Sequence, residues 1–314
     1  MKVLLPDNVD LSGLTLPAGV SSVVYPVGAP LAEEHTDAEV LVVWGNPPSQ
    51  LEDFAARLKR LRWVQTLAAG PDAVLAAGFP HSVVMTSGRG LHDLTVAEHT
   101  LALLLAAARR VDLMTRAQIG HRWAGELGGN QPLKDPDHLR TLRDAHIVVW
   151  GFGSIAAATA PLLTAFGARV TGVAQTAGER HGYPVLTSAD FPSLLPTADA
   201  LVMILPALPE TRHAFNASVA ALLPRHAWVV NVGRGATLDE AALLDAVRAG
   251  RLGGAALDVT ETEPLAPSSP LWDEPNIIVS PHAAGGRPLG APSLIRSNLE
   301  AFRAGRTLRN VIDR

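Results

Sequence analysis

The sequence predicts an α/β protein of two doubly wound domains, and three observations carry that expectation. At 314 residues the chain is too long for one small core and suits two domains. The first ninety residues alternate short β-rich runs with helical stretches. A second series of β-rich runs begins near residue 146 and continues, with helical or loop segments between, to residue 280. Such alternation argues for parallel sheets covered by helices.

In the first series the runs are "KVLL", "SSVVYPV", "AEVLVVWG", "RWVQTLAA" and "SVVMTS". "PSQLEDFAARLKRL" and "PDAVLAAG" read as helices between the last three. "TVAEHTLALLLAAARRVDLMTRAQ" reads as one long helix, with Thr95 as N-cap and Glu98 at the capping-box spacing. A polar stretch with Gly and Pro follows, and then the second series: 146–150, 169–173, 200–204, 228–232, 254–259 and 276–280. These six runs describe one doubly wound domain. The final "SLIRSNLEAFRAGR" reads as a helix that returns to the first domain.

Composition removes several function classes. Hydrophobic content of 47% with 18% charged residues is that of a folded globular chain. A formal charge of -4 gives no reason to expect nucleic acid or an anionic membrane as partner. With no cysteine, disulfides, zinc–thiolate sites and thiol nucleophiles are excluded. The eleven histidines form no recognisable ligand cluster, so no metal is expected. "LALLLAAA" at 101–108 is too short for a membrane span, and "MKVLLPDNVD" is a poor signal peptide. A cytoplasmic protein is the expectation.

"IVVWGFGSIAAATAPLLTAFG" holds Gly151-x-Gly153-x-x-Ala156 between a strand and an Ala-rich helix. The first glycine permits the tight turn, the second admits a pyrophosphate, and a small third residue packs helix on strand. The helix N-terminus offers N–H groups to the phosphates. A dinucleotide is therefore the expected cofactor, held by Gly151, Phe152, Gly153, Ser154 and Ile155. The ribose-binding acid of such sites falls near Ala174, where "VTGVAQTAGER" has Ala174, Gln175 and Thr176 and no carboxylate before Glu179. Loss of that acid removes the main obstacle to a 2′-phosphate. Gln175, Thr176 and Arg180 are the groups within reach, which favours NADP(H) and leaves NAD(H) possible. Arg180 could equally be an ordinary solvated loop residue whose charge Glu179 partly cancels.

Ligands of open α/β sheets bind beyond the carboxyl ends of the strands. There the fourth strand of the second series presents Arg234, the fifth Asp258, Glu261 and Glu263, and the sixth His282. An arginine fork binds a carboxylate and polarises the adjoining carbonyl. A histidine passes a proton to a developing alkoxide, and a carboxylate beside it fixes the ring. This set suits hydride transfer to a 2-oxo acid. Taken singly, Arg234 could pair with Asp239, Glu261 could be a solvated turn residue and His282 could be structural.

"GFGSIA", "LPALPETRHAF", "NVGRGATLDEAAL", "ALDVTETEPL" and "SPHAAGG" together resemble the D-isomer-specific 2-hydroxyacid dehydrogenase family. "VWGNPP", "VQTLAAGPD" and "SGRGLHDLTVAEHTLALLLAAAR" resemble its glyoxylate/hydroxypyruvate reductase branch. The resemblance implies a Rossmann coenzyme domain, 97–286, inserted in a flavodoxin-like substrate domain, 1–96 and 287–314. It makes Arg234, Glu263 and His282 catalytic and puts Asp258 near the nicotinamide amide. Leu205, Pro206, Val232, Gly233, Arg234, His282 and Ala284 join the expected coenzyme contacts. The N–H groups of Ala69 and Gly70 would meet the substrate carboxylate across the domain cleft, with Arg234 and His282 opposite and Trp44 as part of an apolar lid. Trp44 could equally be plain core packing.

The resemblance further implies reduction of a small 2-oxo acid such as glyoxylate or hydroxypyruvate to the D-2-hydroxy acid, and a homodimer formed through roughly 110–145. Leu208 departs from a frequent Thr, and Gly233 from Ala or Ser. Two alternatives stand beside this reading: a dehydrogenase for a bulkier 2-oxo acid, and a non-catalytic nucleotide-sensing interaction protein. A formate dehydrogenase would pair its histidine with Gln, which Glu263 argues against.

Overall fold

The computed structural model describes residues 1–132 and 135–313. Leu133 and Lys134, within the 110–145 stretch expected at a dimer contact, lie outside the described residues. The chain divides into two compact units, residues 1–92 with 287–314, and residues 93–286.

In the first unit, β1 (Lys2–Pro6), β2 (Ser21–Tyr25), β3 (Val40–Val43), β4 (Trp63–Thr66) and β5 (Val84–Thr86) form a parallel sheet ordered β2-β1-β3-β4-β5. This is the flavodoxin-like order. β3 and β4 are buried along their whole length, as expected of central strands covered on both faces. On one face α1 (Pro48–Arg57), with proline in its first turn, buries Leu51 and Phe54, and the Phe54 ring meets Tyr25 edge-on at 5.1 Å. The single-turn α2 (Asp72–Ala76) adds Val74 to the same core. The other face is covered by the C-terminal helix, Ala291–Arg303. Its Leu294, Ile295 and Leu299 pack with Val3, Val40, Val42 and Trp63. Its buried Asn298 donates to Gln65 Oε1 at 2.9 Å and so ties the chain's end to β4.

The second unit opens with a correction. The helix expected over 95–118 is two helices, α3 (Asp93–Arg109) and α4 (Val111–Ile119). Between them Arg110 takes a left-handed backbone, φ 53°, and its buried guanidinium donates to Asn276 Oδ1 at 2.8 Å. The inward turn of Arg110 outweighs the continuous helical pattern. Because α3 begins at Asp93, Thr95 lies inside its first turn and is not the N-cap.

β6 (His146–Trp150) then leads through the glycine turn to α5 (Ser154–Ala165), β7 (Arg169–Ala174) and a hairpin of β8 (Gly178–Arg180) with β9 (Tyr183–Thr187). After the short α6 (Phe191–Leu194) comes β10 (Ala200–Met203), and after the short α7 (Ala217–Ala220) comes β11 (Trp228–Asn231). α8 (Glu240–Arg248), β12 (Gly254–Leu257) and β13 (Ile277–Val279) complete the unit. The sheet runs β13-β12-β11-β10-β6-β7-β9-β8. From β9 to β12 this is the 3-2-1-4-5-6 order of dinucleotide-binding folds, with its switch point between β6 and β10. The six expected strands are present; the β8–β9 hairpin is an addition.

α3 and α5 cover one face through Leu103, Leu104, Ala156, Ala160 and Leu163. Phe191, Phe215, Leu243 and Val247 cover the other. These layers hold the strand ends of the second unit in fixed register.

Candidate active site

The glycine turn sits at the switch point. Gly151 has φ +100°, and a Cβ there would lie 2.5 Å from the Ile204 carbonyl oxygen at the end of β10. Only glycine lets the ends of β6 and β10 approach this closely. Beyond it, a Cβ on Gly153 would meet nothing within 4 Å, so the turn is open on its outer side. Gly153 is the N-cap of α5 and lends no side chain, which leaves the first-turn N–H groups, Ile155 among them, facing that opening. The Ser154 hydroxyl donates to Asp93 Oδ1 at 3.1 Å, and Phe152 is buried with its N–H on the Val173 carbonyl. This backbone cradle and dipole fit a dinucleotide pyrophosphate.

No carboxylate stands directly after β7, where Gln175 and Thr176 follow. Arg180, raised on the β8–β9 hairpin, reaches back instead. It donates to the Phe152 carbonyl at 2.9 Å, to the Thr176 carbonyl at 3.1 Å and to Thr176 Oγ1 at 2.7 Å. Its guanidinium thus bridges the glycine turn and the end of β7, next to Gln175. The hairpin that aims it escaped the sequence reading, because "GERHGYPV" is too short and polar to register as strands. Its signal is the His181-Gly182 turn, where both residues have positive φ.

Of the three acids after β12, Glu263 and Asp258 meet the segment that bears His282. His282 Nδ1 lies 2.8 Å from Glu263 Oε2, and the other Glu263 oxygen accepts the Thr260 N–H at 3.1 Å. A carboxylate partner requires the proton on Nδ1, so the ring presents Nε2 outward; His282 is 48% exposed. Glu261 turns elsewhere, accepting the Glu240 N–H at 2.9 Å and lying 3.3 Å from His213. Arg234 follows β11, and its Nη1 donates to the Gly233 carbonyl at 2.8 Å. A Cβ on Gly235 would sit 1.9 Å from the Thr260 carbonyl oxygen, so this glycine brings the Arg234 loop against the loop that carries Glu263.

Asp258 is 2% exposed and grips the turn that bears His282. Its Oδ1 accepts Ser280 Oγ at 2.6 Å and Ala283 N at 2.8 Å, while Oδ2 accepts Ala284 N at 3.1 Å. Its carbonyl accepts the His282 N–H at 2.8 Å. Leu205 and Val232 are buried at the ends of β10 and β11. Where Leu208 stands, the polar contact comes from Thr211, whose Oγ1 donates to the Pro206 carbonyl at 2.6 Å and accepts the Leu208 N–H at 2.9 Å. A cavity of about 410 Å³ adjoins the dyad, lined by Glu263, Pro264, Leu265, Trp272, Val279 and His282 among others.

In the first unit, Trp44 follows β3 and stacks on His92 with ring centroids 5.2 Å apart. Asn8 Nδ2 donates to its carbonyl at 2.9 Å and Asn46 Oδ1 accepts its N–H at 2.9 Å. Ala69 and Gly70 lie half-buried in the loop after β4. All three therefore sit at carboxyl ends of adjacent strands. Among the described residues, no group of three or more His, Asp or Glu is placed to hold a metal ion, and no helix is long and apolar enough to cross a membrane.

The chain is similar to known proteins in both sequence and fold. Residues 101–284 match the D-isomer specific 2-hydroxyacid dehydrogenase NAD binding domain. A glyoxylate reductase of Aeropyrum pernix is 32% identical over 270 residues, covering 83% of this chain and 79% of its own. A D-isomer specific 2-hydroxyacid dehydrogenase of Xanthobacter autotrophicus Py2, solved with NADPH and MES, superposes with a TM-score of 0.83 at 31% identity, over 99% of this chain and 97% of the other. An NADPH-dependent glyoxylate/hydroxypyruvate reductase of Sinorhizobium meliloti, solved with NADP and sulfate, gives 0.82 at 27% identity, over 99% and 98%. The chain is an oxidoreductase that belongs to the D-isomer specific 2-hydroxyacid dehydrogenase family.

Proposed function

We propose that the protein reduces a small 2-oxo acid, glyoxylate, hydroxypyruvate or a near analogue, to the D-2-hydroxy acid, with NADPH preferred over NADH. The observation that carries this reading is the His282–Glu263 pair at 2.8 Å, half open to solvent, formed between the segments after β13 and β12, with Arg234 after the next strand, β11. Arg234 binds the substrate carboxylate and draws electron density from the 2-oxo carbon. His282 Nε2 delivers the proton to the developing alkoxide, and Glu263 steadies the imidazolium and holds the ring's aim.

The turn from Gly151 to Ile155 holds the coenzyme pyrophosphate, and Thr176 and Arg180 hold the adenosine end. When bound, the reduced nicotinamide supplies the hydride. The preference for NADPH is supported by the missing acid after β7 and the Arg180 guanidinium in its neighbourhood. Relatives solved with NADPH or NADP point the same way.

A bulkier 2-oxo acid is a second reading, favoured by the largely apolar cavity beside the dyad with Leu265, Trp272 and Val279 on its wall. We read the protein as cytoplasmic and as a homodimer, the latter supported by the exposed Met114, Ile119 and Trp123 on and just after α4. The test is initial-rate oxidation of NADPH and of NADH with glyoxylate, hydroxypyruvate, pyruvate and phenylpyruvate. Fastest turnover of NADPH with glyoxylate or hydroxypyruvate is expected. Phenylpyruvate ahead selects the second reading, and no turnover with any pair contradicts both.

A further inference from the structure

We propose that His99 is a positioning residue for His282, acting through Asp258 and Ser280; the inference rests on the reading of His282 as proton donor. His99 lies in the first half of α3, far from the P-H segment in sequence. Its Nε2 is 2.9 Å from Ser280 Oγ and 3.1 Å from Asp258 Oδ1. The proton placement follows from the partners. Ser280 has one hydroxyl proton and donates it to Asp258 Oδ1 at 2.6 Å, so Ser280 Oγ can only accept from His99. A lone pair on Nε2 would face a carboxylate at 3.1 Å with no proton between. His99 therefore carries a proton on Nε2 and shares it between Ser280 and Asp258.

The cluster controls the aim of His282 because it grips the chain on both sides of it. His282 is a non-glycine residue at φ +51°, a strained conformation that persists only where its surroundings over-determine it. Asp258 supplies that determination. Its carbonyl takes the His282 N–H, and its carboxylate takes the N–H groups of Ala283 and Ala284 immediately after. The side chain of Ser280, two residues before, is fixed to the same carboxylate oxygen. Asp258 Oδ1 receives three donors, and His99 is the one that comes from another element. Without it the carboxylate loses one of its four donors and the only one of them from α3, its grip on the two alanine N–H groups loosens, and the imidazole's line to Glu263 is less fixed.

The experiment compares His99→Ala, His99→Asn and His99→Gln. Glutamine places an amide N–H where Nε2 stood, and asparagine is too short to reach. Each is measured for kcat and KM with hydroxypyruvate and NADPH, and for the ring-nitrogen and ring-proton NMR signals of His282 in the coenzyme-free protein, assigned by their loss in His282→Ala. The alanine and asparagine variants are expected to lose about tenfold in kcat, a part of the 10²–10⁴-fold that placed acid catalysis contributes. Their KM values are expected to stay within about twofold, as for an interaction realised only in the transition state. The His282 ring signals should move or broaden in both, and glutamine should restore rate and signals. If the alanine variant does not fold, the asparagine–glutamine contrast decides. Wild-type kcat with unmoved His282 signals in a folded His99→Ala or His99→Asn overturns the proposal, and so does a glutamine variant as impaired as the others. A wild-type protein that turns over no 2-oxo acid defeats the functional reading instead, and the His282 signals still decide the positioning.

Discussion

Glu263, His282 and Arg234 show how residue types at strand ends become chemistry only through local backbone devices. The sequence placed three acids after one strand run, and nothing in their spacing distinguished Glu261 from Glu263. The structure separates them through Glu240, whose backbone N–H takes Glu261 away, while Thr260 turns Glu263 toward His282. Asp258, expected at the nicotinamide amide or its surroundings, also holds the turn behind His282 with its carboxylate oxygens. That role depends on contacts distant in sequence, so no local pattern could show it. Arg180 is the residue on which the proposed preference for NADPH rests. Arg180→Ala is predicted to raise the KM for NADPH about tenfold or more, since a charge-assisted hydrogen bond contributes about 1.5–3 kcal/mol. The KM for NADH should change little. Parallel saturation curves with the two coenzymes check this, and an equal rise for both would remove Arg180 from 2′-phosphate recognition.

Among elements, the glycine turn was fully legible, because its constraints are local: a strand, a positive φ and a helix start in immediate succession. Gly151→Ala is predicted to destabilise the second unit by more than about 1 kcal/mol, the strain of a Cβ at φ +100° driven against the Ile204 carbonyl. It should also abolish coenzyme binding. Thermal melting with and without NADPH tests both, and a variant that still gains stability from NADPH as wild type does would contradict the assignment. Two other elements were misread for opposite reasons. The long helix broke at Arg110 because a buried tertiary contact to Asn276 overrode an unbroken helical pattern. The β8–β9 hairpin went unseen because its strands pair mostly at an edge, where little burial marks the sequence.

At the scale of the molecule, the two sheets followed from alternation alone, and the C-terminal helix packs on the first sheet as expected, through Leu294, Ile295 and Leu299. Buried polar supports were not readable in the same way. His146, at the start of β6, is 2% exposed and bonded to Thr197 and Thr171. Burial lowers its pKa below the ordinary histidine value of about 6.5, and the nearby Arg169 lowers it further against the opposing pull of Thr197 and Asp199. The unfolded chain therefore binds more protons than the folded one below about pH 6.5. This contribution to stability is present above that pH and is lost as pH falls through the lowered folded value. Melting temperatures from pH 7 down to pH 5 should fall in the wild type and fall less steeply in His146→Gln. Equal slopes would show that His146 does not carry the dependence.

The central claim is that His282 delivers the proton to a 2-oxo acid, and its most direct test is the kcat of His282→Ala beside wild type, with NADPH and hydroxypyruvate at saturation. The account predicts a loss of about 10²–10⁴-fold with NADPH binding intact. An alanine variant that turns over at the wild-type rate would contradict it.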